Sequence, residues 1–421
     1  MMNNNWLYSS KFKRKRIKFL CKLAFSGGTP KTNHYDYWNN GTIKWLASGE
    51  IQNKVVQNFT DLITNKGLKN SSARLFPKNT LLLAMTGATC GNVGISSLEI
   101  ACANQSVYSY ILNDNTHPKF YYYALLAMRD EILSNQNGGA QAGINGKVCK
   151  NLIVPDISLA KQKQIADFLD KKVLLVDKLI DIKKQEIEVL IKQKKDFVTR
   201  SIKEAIDSSS LTDIKYFSTT NGRIGWQGLT TAEYKQEGPY LITGTDFNED
   251  GSINYNTCVH ITLKRYKEAS KIQVRNGDVL ITKDGTVGKV AIIDNLPCET
   301  SLNSGVLLIR PDTKKCLSRY LYYYLKSDYF WDWFKINSKE AATIVHLYQQ
   351  QFNNFPVYLP SLSIQERIVS NLDYKYKKLE KLLLIKNLHL NELYNYKKSI
   401  IYEYVSGKKE VSHEFKWLKS T

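Results

Sequence analysis

"QKQIADFLD" (Gln162–Asp170) returns 203 residues later as "QERIVSNLD" (Gln365–Asp373), with Gln, Ile, Leu and Asp in register. At the same offset "QKKDFVTRSI" (from Gln193) faces "YKKSIIYEYV" (from Tyr396), and Lys172, Lys183 and Lys194 fall opposite Lys375, Lys386 and Lys397. A register held over about 40 residues marks an internal repeat, and a repeat decides the architecture before any single motif does. Both copies read as long helices. Ile165, Leu169, Val176, Leu179, Ile187, Leu190 and Phe197 follow a heptad-like spacing, as do Ile368, Leu372, Leu379, Leu382, Leu390, Leu393 and Ile400. A helix of about 43 residues is roughly 65 Å long. Such a helix is not stable alone, but two from one chain can bury each other's apolar seam. The matched lysines interrupt the seam at the same steps, where they read as register pins, as solvated flank, or as contacts to phosphates of a nucleic acid bridging the two copies.

The segments between the helices also pair. "PKNTLLLAMTGATCGNVG" (from Pro77) resembles "VRNGDVLITKDGTVGKVA" (from Val274), and "ANQSVYSYI" (from Ala103) matches "LNSGVLLIR" (from Leu302). "FYYYALLAM" (from Phe120) matches "YLYYYLKSD" (from Tyr320), tyrosine clusters that read as packing for a short helix. The order is twice the same: a β-rich unit, a short helix, a long helix. The expected fold is α+β, two β-rich domains separated and joined by two long antiparallel coiled-coil helices with pseudo-two-fold repetition. The expected bounds are 1–156 and 208–360 for the β-rich domains, 157–207 and 361–409 for the helices, and 410–421 for a tail.

Composition narrows the function. The 421 residues hold 43% apolar and 11% aromatic side chains, enough for several folded cores. With 59 Lys plus Arg against 39 acidic residues, the formal net charge is +20. That balance favours a polyanionic partner, nucleic acid ahead of an anionic membrane, although an AT-rich genome also enriches lysine. No run of 18 apolar residues occurs, and the apolar part of "KFKRKRIKFLCKLAF" is short and broken by Lys22, so a cytoplasmic location without a membrane is expected. Seven cysteines form no CxxC pair and six histidines show no i, i+4 spacing, so no metal site is expected.

Catalytic constellations are missing too. The sequence holds no GxxxxGK[ST], no GxGxxG, no GxSxG and no Asn/Asp-Pro-Pro-aromatic motif. "ITKDGTVGKV" (Ile281–Val290) has the glycines of a phosphate cradle, yet its Asp284–Gly285 step reads more simply as a hairpin turn. The first-half counterpart has Thr86 and Gly87 where the second has Lys283 and Asp284, which argues against a catalytic carboxylate. Catalytic and metal residues are therefore expected to be none.

A basic, non-catalytic chain with two diverged copies of one unit suits the reading of two short DNA elements at a fixed separation on the duplex. Arg and Lys suit guanine, Asn and Gln suit adenine, and lysines anchor phosphates. The candidates in the first half are Lys31, Asn33, Lys44, Ser48, Lys69 and Arg74. Those in the second are Arg223, Trp226, Gln227, Lys264, Arg265, Lys283 and Lys289. Trp226 has two readings, a half-buried core tryptophan and a stacking wedge.

These residues carry a family resemblance. "FSGGTPKTNHYDYWNNGTIKWLASGEI" (Phe25–Ile51) resembles the opening of a target recognition domain of the specificity subunits of type I restriction-modification enzymes. "GRIGWQGLTTAEY", "YLITGTDF", "ITKDGTVGKV" and "LNSGV" resemble a second such domain, and "LPSLSIQERI" and "SIIYEYVSGKK" the family's helical repeats. The resemblance runs from about Ile17 to Lys409. It implies double-stranded DNA as ligand, one half of a bipartite asymmetric site per domain, with the gap set by the helices. It further implies two methyltransferase subunits using S-adenosylmethionine and two ATP- and Mg-dependent restriction/translocase subunits as partners, with no cofactor on this chain. The alternatives are a coiled-coil scaffold, a self-contained restriction nuclease, and the specificity subunit of a related two-component system. Two extra residues before the first long helix, and the dense "KFKRKR" cluster, depart from the pattern.

Overall fold

The computed structural model describes residues 10–136, 143–223, 229–338 and 346–411. The chain divides into two compact units, residues 1–183 with 389–421, and residues 184–388. Each unit therefore takes part of both long helices, Leu159–Ile206 and Leu362–Val405.

In unit 1, strands Cys21–Ser26, Val107–Leu112, Leu81–Ala84, Val93–Ser96 and Val55–Val56 lie side by side in that order. A second sheet has the order Asp61–Ile63, Ile43–Leu46, Ile100–Ala103 and Phe76–Pro77. Unit 2 repeats the plan. Ser218–Gly222, Val306–Pro311, Val279–Thr282 and Val290–Ile292 form one sheet, and Val259–His260, Lys235–Ile242 and Thr300–Leu302 the other. In both units the second sheet contains one parallel pair, Trp45 opposite Cys102 and Tyr240 opposite Thr300. The central strands Leu81–Ala84 and Val279–Thr282 are buried throughout, which is why their sequences run apolar without alternation.

Behind the first sheet lies the tyrosine-rich short helix, Pro118–Ala127 or Ser318–Lys326. As expected, Tyr121, Tyr123, Tyr322, Tyr323 and Tyr324 are core residues. The repeated Gln and Asp of the long helices explain how it is held. Gln162, buried, accepts the N–H of His117 at 2.7 Å and donates to the Ile157 carbonyl at 2.7 Å. Gln365, also buried, accepts the N–H of Leu317 at 2.8 Å and donates to the carbonyls of Lys315 and Pro360. One amide thus satisfies an open donor at the start of the short helix and ties it to the long one. Asp170 then accepts from the Tyr123 hydroxyl and Lys119, and Asp373 from the Tyr323 hydroxyl and the Arg319 guanidinium.

Within each unit the two long-helix stretches run antiparallel. In unit 1 the Lys397 ammonium meets Asp177 at 2.6 Å, and in unit 2 Lys194 meets Glu380 at 2.9 Å and Lys386 meets Glu186 at 2.6 Å. The first two pairs are the same pair shifted by the 203-residue repeat. These seam lysines are therefore not solvated flank: Lys194 is 17% exposed, with its Nζ 3.8 Å from the Tyr376 ring centroid. Ile165, Leu169, Val176, Ile368, Leu372 and Ile400 are buried, and Ile187, Leu190, Phe197, Leu379, Leu390 and Leu393 half-buried, as their spacing predicts. Leu179 and Leu382 are corrections. They are 48% and 38% exposed, and the neighbouring Ile180 and Leu383 turn inward instead. Where two adjacent residues are both apolar, the opposite helix decides which one is covered.

Candidate nucleic-acid interface

The strand registers bring a set of loops to one end of each unit. In unit 2 Ile242 pairs with Leu302, Thr282 with Val306 and Gly222 with Leu307, each at the end of its ladder. The segments that follow or precede these pairs, 243–246, 283–289 and 303–305, consequently emerge side by side, next to the strand end at Gly222. These segments belong to the quoted motifs "YLITGTDF", "ITKDGTVGKV" and "LNSGV", and Gly222 opens the motif "GRIGWQGLTTAEY". Their shared location follows from pairing between strands distant in sequence.

The turn residues build these loops rather than decorate them. Asp246, 1% exposed, accepts from the Thr243 N–H and hydroxyl and from the Thr257 hydroxyl, each at 2.8 Å. Asn303 donates its N–H to the Ile242 carbonyl at 2.9 Å, and its side-chain oxygen accepts from Ser304 and Gly305. The segment after Thr282 is a hairpin loop, as expected from Asp284–Gly285: Gly285 has φ +68°, and Val279–Thr282 pairs antiparallel with Val290–Ile292. Asp284 is engaged by His346. Lys283 and Lys289 flank the loop, and Lys289 is exposed with its Nζ 3.4 Å from the Gly244 carbonyl.

Arg223 stands in a different environment. It is 5% exposed, its Nε donates to the Leu302 carbonyl at 2.7 Å and its Nη2 to the Ser301 hydroxyl at 3.0 Å. Burial, and then the charge of Arg265, press its pKa down to about 10. Its guanidinium secures the Thr300–Leu302 strand from within. Arg265 is held by Glu233 and Glu268, both at 2.9 Å, while its neighbour Lys264 is exposed on the helix Leu263–Glu268. Trp226 and Gln227 lie outside the described residues.

In unit 1 the loop after Ser26 carries Lys31 and Asn33, both exposed. Gly27 and Gly28 let it press against its neighbours, since a Cβ on Gly27 would lie 2.0 Å from the Ala103 carbonyl oxygen and one on Gly28 2.3 Å from the Ser72 hydroxyl. The Trp45 indole donates to the Gly28 carbonyl at 2.9 Å and the Trp38 indole to that of Lys31 at 3.1 Å. Lys66 bridges to Asp36 at 2.7 Å. These ties gather the segments bearing Lys31, Asn33, Lys69 and Arg74, and the Arg74 guanidinium lies 5.7 Å from the Phe25 ring centroid. Ser48 lies on the turn after the strand Ile43–Leu46, whose Leu46 carbonyl accepts the N–H of Asn104 at 2.8 Å while the Ala103 carbonyl accepts that of Gly28, so this turn joins the same set of loops; Lys44 lies on the strand itself, over Phe59. Tyr35, 74% exposed two residues beyond Asn33, is a further candidate that basic and amide chemistry does not single out; the aromatic-polar run "NHYDYW" is its signal. Among the described residues no group of three or more His, Cys, Asp or Glu is placed to hold a metal ion, and no helix is long and apolar enough to cross a membrane.

Two β-rich units with one loop-bearing end each, carried on paired helices, define a duplicated recognition scaffold. The model of the type I restriction modification DNA specificity domain matches residues 9–192 and 227–389, and the chain belongs to that family. The specificity subunit of the type I restriction enzyme EcoR124I/EcoR124II of Escherichia coli is 28% identical over 173 residues, 40% of this chain and 43% of that one. The matched stretch thus spans less than half of that relative. The Escherichia coli EcoBI specificity subunit is 25% identical over 324 residues, 71% of this chain and 67% of that one. The fold is shared with a chain solved in work on complex assembly and conformational transition of the type I R-M system. The TM-score is 0.67 at 16% identity, covering 94% of this chain and 98% of that one.

Proposed function

We propose that this chain is the non-catalytic DNA-reading subunit of a type I restriction-modification complex. Each unit reads one half of a bipartite asymmetric site in double-stranded DNA, and the helix framework sets the gap between the halves. The observation that carries this reading is the duplication itself: two copies of one sheet-and-helix frame present loops of different sequence. Two methyltransferase subunits bring S-adenosylmethionine and flip the target adenines out of the stack. Two restriction/translocase subunits bring ATP and Mg, and this chain binds none of these cofactors. Leu174, Leu175, Leu179 and Ile182, all about half exposed, offer the partner subunits an apolar face on the first long helix, as do Leu384 and Leu388 on the second. The complex works in the cytoplasm, on DNA.

Long-read sequencing of adenine methylation, in a host carrying the methyltransferase subunit with and without this gene, tests the reading. The expected result is a gene-dependent motif of two defined halves split by a fixed gap and methylated on both strands. No such motif, with the methyltransferase subunit expressed and bound, would leave a scaffold rather than a specificity subunit. Lys283→Ala in the unit 2 hairpin loop sharpens the assignment, because it should relax one half of the motif and leave the other unchanged.

A further inference from the structure

The strand Arg14–Arg16 pairs antiparallel with Ile153–Pro155, and its equivalent in unit 2, Leu211–Asp213, pairs antiparallel with Pro356–Tyr358. Each strand leads into a short 3-10 turn that starts with a fully buried isoleucine, Ile17 or Ile214. The backbone is the same and the charge is not. Residues 11–18, "KFKRKRIK", hold six cations and no acid, whereas the equivalent 208–215, "SSSLTDIK", hold one of each.

Unit 2 builds this element from Leu, Thr and Asp, so neither the ladder nor the core beneath it calls for the cations of unit 1. Protection of a strand edge does not account for them either, since the equivalent strand of unit 2 holds a single charge, Asp213. Lys11, Lys13, Arg14, Lys15 and Arg16 are all exposed, and in an extended strand successive side chains point to opposite faces, so both faces are charged. Lys15 reaches Asp156 at 3.6 Å, an ion pair about 40% exposed on each side. Crowding like charges on one short element costs self-repulsion unless a polyanion offsets it. The run contains no Asn, Gln, Ser or Thr, the residues that would add hydrogen bonds to base edges, so its chemistry is that of phosphate contact.

We infer that residues 11–18 form a sequence-independent phosphate anchor for duplex DNA, present in unit 1 and absent from unit 2, so that the two halves of the protein grip DNA unequally. This rests on the DNA-reading function proposed above. The test uses the full chain purified with its methyltransferase subunit, and two labelled duplexes, one with the methylated motif and one with it scrambled. Affinity is measured from 50 to 200 mM salt. In one variant Arg14→Leu, Lys15→Thr and Arg16→Asp install the residues unit 2 uses, and in a second all three become Gln. Each phosphate contact contributes about 0.9 to the slope of log K against log salt, so the loss of three lowers the slope by about 2.7. Over that fourfold salt range the salt-driven fall in affinity shrinks roughly 40-fold. The change should be equal on both duplexes, with the methylated motif unaltered. The reverse graft, Leu211→Arg with Thr212→Lys and Asp213→Arg, should steepen the slope.

An unchanged slope in both folded variants overturns the anchor. An unchanged slope with the methyltransferase subunit lost from the complex overturns it in favour of an acidic protein surface. A wild-type complex that does not distinguish the two duplexes would instead remove the DNA-reading function itself.

Discussion

In unit 1 the loop after Leu81–Ala84 carries Thr86, Gly87, Ala88 and Thr89, and in unit 2 the loop after Val279–Thr282 carries Lys283, Asp284 and Lys289. The strands beneath pair alike, and the loops share little side-chain chemistry. A short distance behind them the relation is reversed. Gln162 and Gln365 make the same helix-start bonds, Asp170 and Asp373 receive the same tyrosine hydroxyl, and Asp177–Lys397 repeats as Glu380–Lys194. The contrast shows which positions serve the frame and which are free to differ between the two copies.

The largest effect should come from breaking one anchor at a time. Gln365→Leu keeps the volume but leaves the Leu317 N–H and the Lys315 and Pro360 carbonyls unpaired in the interior, which should cost about 3 kcal/mol. Gln162→Leu abandons two groups instead of three and should cost less. Urea unfolding of the two variants ranks them, and equal losses would show that the two anchors are not graded by their bonds. Next is the seam. Lys194→Met strands Glu380 in a setting about one-third exposed and should cost about 1–2 kcal/mol. Lys397→Met strands Asp177, 43% exposed, and should cost about half as much.

A pH test separates the units further. Burial, and then the charge of Lys194, lower the Lys326 pKa to about 8 from 10.5, and Tyr322 and Tyr376 surround its ammonium. Below pH 8 the proton is bound in both folded and unfolded chains, and burying the charge weakens the fold. Between pH 8 and 10.5 the folded state sheds the proton first, so this contribution to stability rises with pH. Wild type should therefore gain on Lys326→Met between pH 7.5 and 9.5, and parallel urea midpoints would show the ammonium to be better solvated than its surroundings indicate. The smallest effect belongs to Leu179→Ala, expected within about 0.5 kcal/mol because the side chain faces outward. Ile180→Ala, one residue on, should cost about 2 kcal/mol, and equal losses would restore the heptad phase read from spacing alone.

Most of the frame is legible in the sequence because periodicity carries it. The helix spans, the duplicated order of elements, the antiparallel seam and the burial of the tyrosines follow from apolar spacing and repetition. The inward residue at Leu179–Ile180 is not legible, since both are apolar and the choice lies with the facing helix. The interface is legible only as far as its loops. An arginine among glycines at position 223 looks like a ligand group, and only the arrival of Thr300–Leu302, some 80 residues later, makes it an internal strut. The parallel pairs Ile43–Leu46 with Ile100–Ala103, and Lys235–Ile242 with Thr300–Leu302, are invisible to local pattern for the same reason.

The division of each long helix between two units has a consequence for synthesis. Ile400, Ile401 and Val405 sit in the same core as Ile17, Leu81 and Tyr121, and the Ser406 carbonyl accepts the N–H of Lys11 at 2.9 Å. Unit 2 is one continuous stretch of chain, whereas unit 1 waits for its last piece. On a ribosome unit 2 can therefore close before unit 1, although most of its residues are made later. A stop codon just ahead of residue 389 would leave unit 2 its full sequence and deprive unit 1 of part of its core.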